Sequence, residues 1–176
     1  KTLAQSARIL GRDEEELSAE LASSRKKLFA VREKRVHPGK DDKVIVAWNG
    51  LMIDALARAA AALDEPRYAA AATKAAAFIR QHLQRPDGRL LHAWRHGRAK
   101  LDAYLDDYAA LANGLISLYE ATFDGEQLVE AARLLDIVLE RFADMHGGGF
   151  FYTADDHEKL IARNKDATDA SVPSAS

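Results

Sequence analysis

The middle of the chain repeats itself. Laying Trp48 over Tyr108, an offset of 60 residues, puts Ala57 on Ser117, Ala61 on Ala121 and Asp64 on Asp124 without a gap. Further along, Ala72 falls on Ala132, Phe78 on Val138, Gly88 on Gly148, and Leu90-Leu91 on Phe150-Phe151. Each unit reads as helix, short turn, helix, glycine turn, extended segment. The spacing predicts helices over about 47–63 and 65–84 in the first unit, and over about 106–122 and 125–145 in the second. Asp64 and Asp124 are placed to cap the second helices, and Pro66 suits a first helical turn. Asp87-Gly88 and Gly147-Gly148-Gly149 lead into extended segments, Leu90–Trp94 and Phe150–Thr153. A period of 60 is too long for the common short helical repeats. It fits helical hairpins in a ring, one helix of each lining the centre, each pair burying its apolar stripe on its neighbours.

Ahead of the repeat, Asp13 with Glu16 three residues on has the form of a helix start. Leu17, Leu21, Leu28 and Val31 recur at helical spacing, which predicts one buried stripe. Arg25, Lys26, Lys27, Arg32, Lys34 and Arg35 cover the other faces, and His37-Pro38-Gly39 ends the helix. The expected organisation is a leading helical segment, 1–43, then an incomplete α/α toroid, 44–176, with hairpins at about 47–95 and 107–155. The fold class is all-α, with short β-hairpin-like extended segments.

Composition narrows the function classes. A formal charge of −2 carries no nucleic-acid signature. The absence of cysteine removes disulfides and thiolate metal sites from these 176 residues. No apolar run reaches the roughly 18 residues of a membrane span. Lys1-Thr2-Leu3-Ala4 has neither an initiator Met nor a leader pattern, so the chain reads as processed or cut from something longer, with a cytoplasmic location expected. No metal site and no cofactor are expected: the six histidines lie outside both proposed inner helices, and none has zinc-type helical spacing.

The stretch Asp41-Asp42-Lys43-Val44-Ile45-Val46-Ala47-Trp48-Asn49-Gly50-Leu51-Met52-Ile53 resembles a signature of the thioredoxin-domain-containing, spermatogenesis-associated protein family. So do Tyr104-Leu105-Asp106-Asp107-Tyr108-Ala109, Leu118-Tyr119-Glu120-Ala121-Thr122 and Gly148-Gly149-Phe150-Phe151, in the same order and spacing. The family closes on a pattern near DGA-x-PSGNS. Here Ala170 and Ala175 replace glycines and Ser176 stands at the Asn position. The resemblance implies a thioredoxin-like domain elsewhere in a parent chain. It also implies a toroid similar to the N-acylglucosamine epimerase and six-hairpin glycosidase folds, with this chain as its first part. The expected partners are the rest of that parent and a small sugar ligand, with no nucleic acid and no membrane.

Candidate site residues gather at the inner helix starts. Asp106 and Asp107, flanked by Tyr104 and Tyr108, have the carboxylate and aromatic chemistry of a sugar site. Neighbouring helical residues point about 100° apart, so the two carboxylates cannot share one bond. The plainer roles are a helix cap for Asp106 and a loop tie for Asp107. Trp48 and Asn49 hold the equivalent place in the first unit: Trp48 as core anchor or ligand platform, Asn49 as an amide shown to the pocket. Asp54 would need a partner if it faces inward. Arg95, His96 and Arg98 around Gly97 could hold an anion, a solvated basic turn being the simpler reading. Two functions remain open: part of a carbohydrate-active toroid (isomerase, epimerase or glycosidase-like), incomplete as an enzyme alone, or a non-catalytic scaffold for protein or thioredoxin-like domain interaction.

Overall fold

In the computed structural model the described residues are 1–176 except Lys159, Asp166, Ala170, Ser171 and Ser176. Two of the departures from the family's closing pattern, Ala170 and Ser176, therefore lie outside the described residues. The chain divides into compact units Lys1–Asp41 and Asp42–Ser176.

The first unit is two helices. α1 (Leu3–Leu10) is one the periodicity did not announce. It opens on a capping box in which Thr2 accepts from Gln5 N–H and Gln5 reaches back. α2 (Glu14–Arg32) opens as expected, the Asp13 carboxylate accepting from the N–H groups of Glu15 and Glu16. Its stripe departs from expectation: only Leu17 is buried, while Leu21, Leu28 and Val31 are exposed. An eight-residue α1 is too short to cover a nineteen-residue α2.

The second unit holds the repeat. Strand β1 (Val44–Ile45) runs into α3 (Val46–Leu63), and α4 (Pro66–His82) returns. Strands β2 (Leu91–Arg95) and β3 (Arg98–Asp102) form a hairpin, followed by α5 (Leu105–Thr122) and α6 (Gly125–Arg141). The sheet is antiparallel in the order β1-β2-β3, with Val44 opposite Trp94 and Ala93 opposite Lys100. The β2–β3 loop is His96-Gly97, both at positive φ, as a type I′ turn requires.

Three expectations are corrected here. Equivalent helix starts, Val46 with Leu105 and Pro66 with Gly125, lie 59 residues apart. Buried pairs follow that register: Ile53 with Ala112, Ala72 with Ala131, Leu83 with Phe142. The missing residue returns in the glycine turn, because the bridge Gln84–Leu90 corresponds to the wider Ala143–Phe150. Asp64 does not cap α4; it ends α3 in the left-handed conformation, and Glu65 precedes Pro66. Asp124 does cap α6, accepting from Glu126 N–H. The second extended segment is only that single bridge, with no paired strand.

Helices α3 and α5 lie against each other, with α4 packed on α3 and α6 on α5. Two glycines allow that approach. A Cβ on Gly50 would sit 2.5 Å from the Ala110 carbonyl carbon and 2.6 Å from Leu111 N. One on Gly114 would sit 2.6 Å from Gly50 O. α5, wedged between α3 and α6, buries Leu105, Tyr108, Leu111, Ala112, Leu115 and Leu118. By length and composition α3 is apolar enough to cross a membrane. Its Gly50 face packs on α5, and its two charged residues, Asp54 and Arg58, pair with each other.

Gly50→Ala should cost about 1–3 kcal/mol, because the new methyl meets backbone that cannot swing aside. Gly125→Ala, with nothing within 4 Å, should be neutral or slightly stabilising. Urea unfolding of both variants checks this, and equal stabilities would refute the close-approach account.

Candidate functional site

Asp107 is the polar centre of the second unit. It is the third residue of α5 and is fully buried. Its Oδ2 accepts from Tyr104 N–H at 3.0 Å, which closes the first turn of its own helix. Its Oδ1 accepts from Ala47 N–H at 2.9 Å, which ties the start of α3. Nδ1 of His92, on β2, lies 2.8 Å from Oδ2. One carboxylate thus joins both inner helices and the sheet. The hydrogen bond that the His92 ring donates to Asp107 raises the His92 pKa above its ordinary 6.5 despite partial burial.

Asp106 points elsewhere, as the 100° between neighbours requires. It lines a cavity of about 390 Å³ between the N-terminal halves of α3 and α5. Trp48, Asp54 and Asn113 share that lining, with Ala47, Ala109 and Ala110 between them and Val172–Ala175 across the opening. The indole of Trp48 is 62% exposed, so it is no core anchor. Asp54 has the partners that burial demands: it accepts from Arg58 Nε at 2.7 Å and from Ser117 Oγ at 2.5 Å.

Asp106 is itself hydrogen-bonded to Tyr152, and the other expected ligand residues also make internal contacts. The Asn49 amide donates to Ile45 O at 2.8 Å, holding the first turn of α3. Tyr108 is 1% exposed; its hydroxyl accepts from Leu90 N–H at 3.0 Å and its ring meets Phe142. Tyr104 stacks on Tyr152 at 5.0 Å and meets His92 edge-on and His157 at a tilt. Burial, with Asp106 and Asp107 nearby, pushes the Tyr152 hydroxyl up to about 12. The structure therefore joins Trp48 and Asp106 at one cavity and places Asp107, Tyr104 and Tyr108 behind it.

His92, Tyr152 and Asn113 escaped the sequence reading. His92 meets Asp107 only through the fold of a hairpin, so no helical spacing marks the pair. Asn113 sits seven residues after Asp106, two turns along one helix face, a signal present in the sequence.

No protein-family model matches the chain. Spermatogenesis-associated protein 20 of Homo sapiens is 35% identical over 184 residues, spanning 99% of this chain and 23% of its own length. The Rattus norvegicus protein is 35% identical over 175 residues, 94% of this chain and 22% of its own. The chain thus spans less than a quarter of the curated relatives it matches, and its likeness to them extends far beyond the short motifs. Among solved structures, cellobiose 2-epimerase from Spirochaeta thermophila DSM 6192 superposes with a TM-score of 0.60 at 18% identity, over 68% of this chain and 31% of that one. At that identity the match speaks to fold: this chain has the hairpins of an α/α toroid.

Two outcomes follow from the Asp107 node. Asp107→Ala leaves two backbone N–H groups without their acceptor and should cost at least about 3 kcal/mol in denaturant unfolding. Because the folded His92 pKa is raised, its stabilisation is complete below 6.5 and is lost as pH rises through the higher folded value. Unfolding free energies of the chain and of His92→Gln should therefore converge with rising pH. A pH-independent gap would remove His92 from the account.

Proposed function

We propose that this chain is part of an α/α-toroid domain with a carbohydrate-related role, incomplete as an enzyme by itself. The observation that carries this reading is the exposed indole of Trp48 beside the Asp106 carboxylate and Asn113 at one cavity. An aromatic face can stack on the apolar face of a sugar ring, while carboxylate and amide bind its hydroxyls. Asp106 is the group we assign to hydroxyl binding or proton transfer, and Asp107 is a positioning residue that holds both helix starts. The likeness of the fold to cellobiose 2-epimerase supports an isomerase, epimerase or glycosidase-like chemistry for the parent protein. A thioredoxin-like domain in that parent and a cytoplasmic location belong to the same proposal.

A second reading, a non-catalytic helical scaffold, is favoured by the outer surface of α6. Leu128, Leu135 and Leu139 are exposed there, seven and four residues apart on one face.

Calorimetric titration of the full-length parent with mono- and disaccharides separates the two. Trp48→Ala and Asp106→Asn should each weaken sugar binding about tenfold, roughly 1.4 kcal/mol. The isolated chain should turn over none of those sugars. Sugar binding indifferent to both substitutions, or turnover by the chain alone, would defeat the proposal.

A further inference from the structure

The two faces of the small sheet differ in chemistry. Side chains alternate along a strand, and residues opposite one another share a face. On the inner face, Val44, Trp94 and Ala99 pack against the core, and Trp94 meets Phe78 of α4 edge-on at 5.3 Å. On the outer face Ala93 lies opposite Lys100, and Arg95 opposite Arg98. Lys43 precedes β1 and falls opposite Arg95 by continuation of the β1–β2 register.

The outer face therefore carries Lys43, Arg95, Arg98 and Lys100 around Ala93. Strands about 4.8 Å apart put the row Lys43, Arg95, Arg98 within about 10 Å. These residues line a shallow cavity of about 630 Å³, with His96 at its rim and no carboxylate among its lining groups. Asp42 pairs with Arg95, so that guanidinium is already engaged, and Asp102 pairs with Arg85. Arg98 and Lys100 have no acidic partner among the described residues. Ala93 contributes only a methyl group, which leaves room above the strand.

We propose that this outer sheet face is a binding site for a small ligand bearing a phosphate group. Arg98 offers a planar fork to two phosphate oxygens, and Lys100 adds a mobile ammonium donor. The patch spans one phosphate group or two, far less than a nucleic-acid backbone track. Trp94 borders the cavity, but its ring is held edge-on against Phe78 of α4 and is not free to sandwich bases. The face is distinct from the Trp48–Asp106 cavity, and the two assignments fail independently.

Amide NMR titration of the full chain tests this, using inorganic phosphate, glucose 6-phosphate and glucose at ionic strength held constant with sodium chloride. Phosphate and glucose 6-phosphate should give saturable shifts centred on residues 93–100, in the millimolar range, and glucose should give none there. Equal affinity for the two phosphates assigns the bare group as ligand, and tighter binding of the ester assigns a phosphate ester. The double variant Arg98→Ala/Lys100→Ala should bind about tenfold more weakly. Its side chains are exposed, and an unchanged spectrum outside the sheet reports that the fold survives. Arg133→Ala, on α6, should bind as the parent does. Absence of saturation, shifts centred elsewhere, or undiminished binding by the double variant would overturn the proposal. Tighter binding of a short oligonucleotide with shifts beyond the sheet would overturn the small-ligand assignment.

Discussion

Everything in the second unit depends on how closely α3 and α5 approach. Helices with ordinary side chains pack 8–10 Å apart, and only absent side chains permit backbone contact. Gly50 and Gly114 supply that absence from opposite sides of the crossing. The approach brings Ala47 N–H within reach of Asp107 and lines up the first turns of the two helices. Their starts then share one cavity, and the alanines at positions 47, 109 and 110 leave it open. Alanine-rich helices suit this arrangement because they bury little and approach closely.

The carboxylate of Asp107 converts that proximity into a fixed geometry. A buried anion must be compensated by donors, and here the donors come from three elements. The adjacent Asp106 is left facing the cavity because helical geometry turns consecutive residues apart. One residue of the pair therefore stiffens the site and the other decorates it. That division explains why two neighbouring acids can serve unlike purposes within one helical turn.

Much of this was legible in the sequence, in proportion to how local the cause was. Asp13, Pro66 and Asp124 marked helix starts because capping acts over a few residues. The α2 stripe misled because periodicity names a face without naming what covers it. The one-residue slip in the repeat was hidden because an ungapped alignment spreads a turn insertion over the helices before it. Whether Trp48 anchors the core or shows its ring to a ligand stayed open in the sequence, because exposure depends on which element lies opposite. The His92–Asp107 contact, by contrast, needed the hairpin fold itself, which no linear spacing reports.

The Ala47–Asp107 bond also bears on how such a chain could grow or shrink. The acid that secures the start of one hairpin belongs to the next. Cutting out a hairpin at its own boundaries would strand a buried carboxylate on one side and an unanswered helix start on the other.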